Sequence, residues 1–223
     1  MIETNVIICV SLWAVFGFQH SLLARPSTKI LVNKIFGFTF ETYFYPLLYF
    51  ISQCIVFLFI YDIIRHLKPT FIIFEIPKEW VHFVYWFNQI ANVFLIITVF
   101  HFDIGKFTGI SQLIKFFYRS QKNPKQVNQT HLNSHYLYKY IRHPMYLGVI
   151  LIFVSSTSIY TDLFFVSLIS IVFYIEIGSH FEEKSLIKKF GSRYVDYQKE
   201  TKLLRWMIIP KLALCLMLLE TIF

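Results

Sequence analysis

The sequence predicts an all-α integral membrane protein with about five transmembrane helices, a C-terminal helical hairpin and a polar cytoplasmic tail. Three observations predict it. The chain of 223 residues is 56% apolar and only 15% charged, where a soluble domain carries roughly a quarter charged residues. Apolar runs of about twenty residues recur, the length a helix needs to cross a bilayer core. These runs are continuous rather than alternating, which argues against a β-barrel. One membrane domain covering 1–223 accounts for the whole pattern.

The first span is expected over 6–24. It lacks the basic leader and polar cleavage tract of a secretory signal and is expected to be retained. Arg25 and Pro26 close it. Spans two and three fall at 43–64 and 80–102, with Tyr and Trp near their ends as at headgroup level. Residues 103–142 read as a long polar loop, within which "IGKFTGISQLIKFF" is amphipathic enough to lie on a membrane surface. Residues 145–178 are apolar again, too long for one upright span. They suit a hairpin with a turn near "STSIYTD", its helices short or tilted. A polar helical tail follows over 180–205. The last stretch, 206–223, is broken by Pro210 and Lys211 and is expected at the interface.

Charge placement orients this layout. Lys plus Arg number three in 25–41, three in 62–79, seven in 103–142 and eight in 180–211. Placing the two richest segments in the cytoplasm puts 62–79 outside, 25–41 inside and the N-terminus outside. The net charge of +8 then reflects orientation and contact with anionic lipid, not nucleic acid, for which no recognition module is present. The cysteines, Cys9, Cys54 and Cys215, lie apart in apolar stretches and suggest neither disulfides nor a zinc cluster. His131 and His135 have a metal-ligand spacing if helical, but no second pair accompanies them, and no metal is expected. No obligate protein partner is implied.

Two polar clusters flank the hairpin. In "YKYIRHPMYLG", 138–148, Pro144 suits the first position of a helix whose N-terminus favours anions. Tyr138, Tyr140 and Tyr146 would surround it, and Gly148 permits a close approach. In "HFEEKSLIKKFGSRYVDYQKE", Leu186, Phe190, Tyr194 and Tyr197 share a face, Gly191 is a candidate helix end, and Glu182 and Glu183 stand at the membrane boundary. Both glutamates read equally as solvated charges or as partners of a cationic or hydroxyl-bearing ligand. Together the clusters describe a pocket of helix N–H groups, aromatic rings and a carboxylate. S-adenosylmethionine fits that chemistry, and so do other nucleotides.

"YKYIRHPMYLG", then "EEKSL" about 34 residues on, then "FGSRYVDY", resembles the signature of the isoprenylcysteine carboxyl methyltransferase superfamily. "FQHSLLARPSTK" and "HFDIGKFTGISQ" narrow the likeness to bacterial membrane methanethiol S-methyltransferases, relatives of nurim. The resemblance implies S-adenosyl-L-methionine bound by the C-terminal part, about 130–205. It implies cofactor contacts from Tyr138, His143, Pro144, Tyr146, Glu182 and Leu132, the last within the loosely aligned "THLN". The prenylcysteine enzymes carry an arginine where this chain has Gly178, which favours a small thiol over a carboxylate substrate. The expected activity is methyl transfer to methanethiol, giving dimethyl sulfide. Its rivals are methylation of an isoprenylcysteine carboxylate or a lipid amine, and a non-catalytic nurim-like scaffold. His20 is a candidate acceptor of the thiol proton and Arg25 a candidate support for the thiolate. Equally, His20 caps backbone and Arg25 snorkels. Glu183 is the alternative base. The layout suits a bacterial inner membrane with the site facing the cytoplasm.

Overall fold

The computed structural model describes residues 2–101, 104–118 and 136–201. Four of its helices are long and apolar enough to cross a membrane: Thr4–Ala24, Phe40–His66, Lys78–His101 and Asp162–Phe190. The expected all-α membrane architecture is therefore present. The chain packs as two compact units, residues 1–76 with 99–127 and 159–170, and residues 77–98 with 128–158 and 171–223.

In the first unit, α1 (Ile2–Ala24) packs on α3 (Tyr45–His66). Their seam is polar at one end and aromatic beyond it. Tyr45 Oη donates to the Leu23 carbonyl at 2.7 Å, Tyr49 Oη meets His20 Nε2 at 3.1 Å, and the Trp13 and Phe57 rings lie 5.9 Å apart. The chain breaks at Arg25, whose ψ of 144° is the extended conformation preferred before proline. Pro26 then opens α2 (Pro26–Phe36), a helix not expected from the sequence. A π-helical turn, Phe40–Phe44, leads into α3. The amphipathic stretch forms α5 (Ile104–Thr108) and α6 (Ile110–Phe117). Phe116 packs against Phe44 with ring centroids 4.9 Å apart.

A two-stranded ribbon, also unforeseen, pairs β1 (Ile72–Glu75) with β2 (Ile159–Thr161) antiparallel. Asp162 closes it. Its two carboxylate oxygens each accept the Thr70 N–H at 3.2 Å, and its own N–H donates to the Phe71 carbonyl at 3.3 Å. Cys9 is fully buried beside Ser167, Sγ to Oγ 3.3 Å.

In the second unit, α4 (Lys78–His101) receives α7 (Pro144–Val154). Asn88 Nδ2 donates to the Ile152 carbonyl at 3.1 Å and to Ser155 Oγ at 3.0 Å. Gly148 allows the close approach expected of it, and its neighbour is α4: a Cβ there would lie 3.1 Å from the Leu95 side chain. The apolar run 145–178 does divide near its expected turn, but unequally. α7 has 11 residues, about 16 Å of helix, against a hydrocarbon core of roughly 30 Å. α8 (Asp162–Phe190) has 29 residues and continues beyond 178. It ends at Gly191, as the sequence suggests, and α9 (Ser192–Glu200) follows. The stretch 206–223 lies outside the described residues.

Gly109 fixes α6 against the start of α3. Its φ is +86°, and a Cβ would fall 2.3 Å from the Leu47 backbone nitrogen. Gly109→Ala therefore combines backbone strain with a steric clash and should destabilise the protein by more than about 2 kcal/mol. Gly178→Ala, where a Cβ meets nothing within 4 Å, should be neutral or stabilising by up to ~1 kcal/mol. Thermal unfolding of the two variants in one detergent separates these outcomes.

Candidate functional site

The second unit gathers the charged and aromatic residues of both sequence motifs. A 3-10 turn, Tyr136–Lys139, precedes the RHP sequence. It sends Tyr138 inward, 6% exposed, and leaves Tyr140 69% exposed. The expected three-tyrosine cluster is thus corrected to two, because Tyr140 lies beyond the turn's inward face. His143 caps α7 in a non-helical conformation, and Pro144 supplies the first helical residue. Pro144 is fully buried and needs no donor for an N–H it lacks.

His143 is 7% exposed and stands between the two glutamates of α8. Its Nδ1 lies 3.5 Å from Glu182 Oε2 and its Nε2 3.3 Å from Glu183 Oε1. Only the doubly protonated ring donates on both sides. Burial alone lowers the imidazole pKa, but the hydrogen bonds and charges of Glu182 and Glu183 outweigh it and hold it above its ordinary value. Tyr146 stacks on the ring, centroids 5.2 Å apart, and donates its hydroxyl to Glu182 Oε2 at 2.7 Å.

The two glutamates differ in surroundings. The Glu183 side chain is 14% exposed and both its oxygens are engaged. Oε1 accepts from Arg142 Nε at 2.7 Å and from His143, and Oε2 accepts from Gln198 Nε2 at 3.0 Å. The Glu182 side chain is 41% exposed. Its Oε2 serves Tyr146 and His143. It is the more open carboxylate of the pair.

Arg142 is the residue that sequence reasoning passed over. It was counted only as a positive charge, yet its side chain is 9% exposed. Its Nη1 donates to the Gln198 carbonyl at 2.9 Å and to the Thr201 carbonyl at 2.7 Å. Those carbonyls end α9, where a cation is favoured by the helix dipole and by orphan acceptors. No sequence signal marks such a contact, because its acceptors are backbone atoms. Around it, Tyr197 donates to the Tyr138 carbonyl at 2.6 Å, and Thr201 Oγ1 donates to the Tyr197 carbonyl. Burial raises the hydroxyl pKa values of Tyr138, Tyr194 and Tyr197, with nearby glutamate charge adding to the effect. All three hydroxyls stay neutral, and that of Tyr197 is a donor.

Of the expected site residues, the structure brings Tyr138, His143, Pro144, Tyr146, Glu182 and Glu183 into this one unit. His20 and Arg25 belong to the first unit. His20 is held there by Tyr49, and Arg25 is exposed at the α1–α2 break. Leu132, His131 and His135 lie outside the described residues. Among the described residues no group of three or more His, Cys, Asp or Glu is placed to hold a metal ion.

The sequence model of the DUF1295 family, described as a protein of unknown function, matches residues 31–201. Two proteins of Bradyrhizobium diazoefficiens are similar. Methanethiol S-methyltransferase 2 is 28% identical over 93% of this chain and 74% of its own length. Methanethiol S-methyltransferase 1 is 30% identical over 89% of this chain and 66% of its own length. The methanethiol S-methyltransferase of Mycobacterium tuberculosis is 26% identical over 89% and 77%. These relatives agree with the resemblance carried by the motifs. No solved structure matches the chain.

Two outcomes are expected of the cluster. Replacing Glu183 by Gln leaves Arg142 buried without its counter-charge, and stability should fall by about 3–5 kcal/mol. Asp196→Asn breaks the exposed Lys199–Asp196 pair and should cost less than about 1 kcal/mol. Because the His143 pKa is raised on folding, its contribution is complete below about pH 6.5 and is lost as pH rises through the folded value. A pH series of unfolding midpoints should therefore decline more steeply over that window in wild type than in His143→Gln.

Proposed function

The chain belongs to the DUF1295 family, and on that premise we propose that it is a membrane S-methyltransferase acting on a small thiol. Methanethiol is the proposed acceptor and dimethyl sulfide the product. S-adenosyl-L-methionine is the proposed donor. The observation that carries this reading is the convergence of Tyr138, His143, Pro144, Tyr146 and Glu182, each assigned to a cofactor by the resemblance, in one unit. Three relatives over most of the chain are named for the same reaction.

The donor set fits such a ligand. Glu182 offers a half-open carboxylate to a cationic group or to hydroxyls, while His143 fixes its orientation. Tyr138 and Tyr146 supply aromatic surface and neutral hydroxyls. When bound, S-adenosyl-L-methionine supplies a methyl group on a positively charged sulfur. The acceptor thiol gives up its proton, and its sulfur forms the new bond to the methyl carbon as the old carbon–sulfur bond breaks. Charge is neutralised along this path, so exclusion of water by the buried tyrosines favours it. Alignment of the two sulfurs about the methyl group is the protein's main task.

In the first unit, His20 is the proposed proton acceptor and Arg25 the proposed support for the thiolate. Glu183, bonded to Arg142, His143 and Gln198, is better suited to hold the cluster together than to accept that proton. The site is proposed to face the cytoplasm of a bacterial inner membrane, with α7 and α8 as a hairpin and α9 in a cytoplasmic tail. The density of Lys and Arg in 103–142 and 180–211 supports that orientation.

Membranes containing the protein, given labelled S-adenosylmethionine and methanethiol, should release labelled dimethyl sulfide into the headspace. Glu182→Ala and His143→Ala should each lower the rate by at least about 100-fold, the scale expected when a positioning contact is lost. Donor binding without dimethyl sulfide would reject the thiol and redirect the assay to carboxylate or lipid-amine acceptors. Absence of donor binding in wild type would favour the scaffold.

A further inference from the structure

α2 and α6 are too short to cross a bilayer, yet each presents large apolar side chains to its surroundings. α2 has 11 residues and buries none of them. Ile30 is 69% exposed, and Leu31, Ile35 and Phe36 are exposed with it. An 11-residue helix is about 16 Å long, roughly half a hydrocarbon core. On α6, Phe116 turns inward to Phe44 while Ile110, Ile114 and Phe117 face outward. An apolar surface of this kind on a short helix is suited to the boundary between headgroups and acyl chains.

The charge around these faces is of one sign. Residues 25–44 carry Arg25, Lys29 and Lys34 against Glu41, and residues 104–118 carry Lys106 and Lys115 with no acid, so five positive and one negative charge give +4. Lys29, Lys34 and Lys115 are exposed. Their placement beside the apolar residues lets the stems lie along the apolar surface while the ammonium groups remain in the headgroup layer. The two helices are also fixed features of the first unit. α2 is set by the Arg25–Pro26 break and the Thr28 Oγ1 bond to the Leu22 carbonyl at 2.6 Å. α6 is seated on α3 by Gly109.

We propose that α2, the π-helical turn and α6 form a collar that binds anionic phospholipid, with Lys29, Lys34 and Lys115 on the headgroup phosphates and the exposed aliphatic and aromatic side chains among the upper acyl carbons. The occupant is lipid rather than another protein because the surface joins an apolar face of sub-bilayer length to unbalanced positive charge, in a chain whose long helices cross the membrane. This site is independent of the methyl-transfer reading and stands or falls without it.

The test uses the full-length protein purified in mixed micelles of phosphatidylcholine with or without phosphatidylglycerol. Native mass spectrometry counts the lipids retained, and unfolding midpoints are followed alongside. Wild type should retain phosphatidylglycerol in preference, by roughly fivefold for each lysine engaged at the surface, and the preference should fall toward one at high salt. Lys29→Gln with Lys34→Gln and Lys115→Gln should remove it, while Lys188→Gln with Lys189→Gln should leave it in place. If the triple variant fails to fold, Lys29→Gln with Lys34→Gln alone should still lower the preference relative to the Lys188→Gln with Lys189→Gln control. Equal retention of the two lipids would overturn the proposal. So would equal loss in the control variant, equal stabilisation by soluble glycerol phosphate, or a dimer cross-linked through α2 and α6 that excludes lipid.

Discussion

The arrangement of the second unit depends on where the Arg142 guanidinium finds its acceptors. Arg142 sits just before α7, yet it bonds a carboxylate on α8 and two carbonyls at the end of α9. A planar group with several fixed donors can satisfy three directions at once, which an ammonium on a flexible stem cannot do with the same geometry. Three elements, α8, α9 and the segment before α7, are thereby fixed to one rigid fork. Glu183, so held, presents Oε1 to His143, and His143 in turn faces Glu182. The more open carboxylate takes its position from this relay rather than from α8 alone.

Charge balance within the cluster explains how so many polar groups tolerate burial. Arg142 and, when it is protonated, His143 face Glu182 and Glu183, two positive groups against two negative ones. Each pair is reinforced by neutral donors from Tyr146 and Gln198. Charges removed from water are tolerated when paired and hydrogen-bonded, and costly when one partner is missing. The tyrosines fit beside these charges because burial keeps their hydroxyls protonated, so that they add no charge.

Much of this was legible in the sequence, for reasons specific to each element. Two of the long helices, α3 at Tyr45–His66 and α4 at Lys78–His101, fall within two residues of their expected ends, and α1 closes at Ala24 as expected. Apolar runs of bilayer length have few alternatives to a helix. The RHP motif and the paired glutamates were legible because polar residues at the ends of apolar runs are conspicuous. Other features left no trace. The ribbon of β1 and β2 pairs Ile72 with Thr161 and Glu75 with Ile159, segments far apart in sequence with no hairpin turn between them. The unequal division of the hairpin into α7 and α8 is hidden because the apolar composition continues through the end of α7. Arg142 does not stand out in the sequence, since two of its three acceptors are backbone carbonyls, which leave no complementary residue to read.

Gly191 shows how far a surface position can act. A Cβ there would meet nothing within 4 Å, so packing leaves the site open to any side chain. Its backbone does not: φ of +62° with ψ of −137° is a combination that residues with a Cβ adopt only under strain. That turn sends α9 back toward Arg142. Sequence drift at this exposed position is therefore confined by chain direction alone. A replacement would be felt not where it occurs but at Glu183, as α9's last carbonyls drew away from the guanidinium.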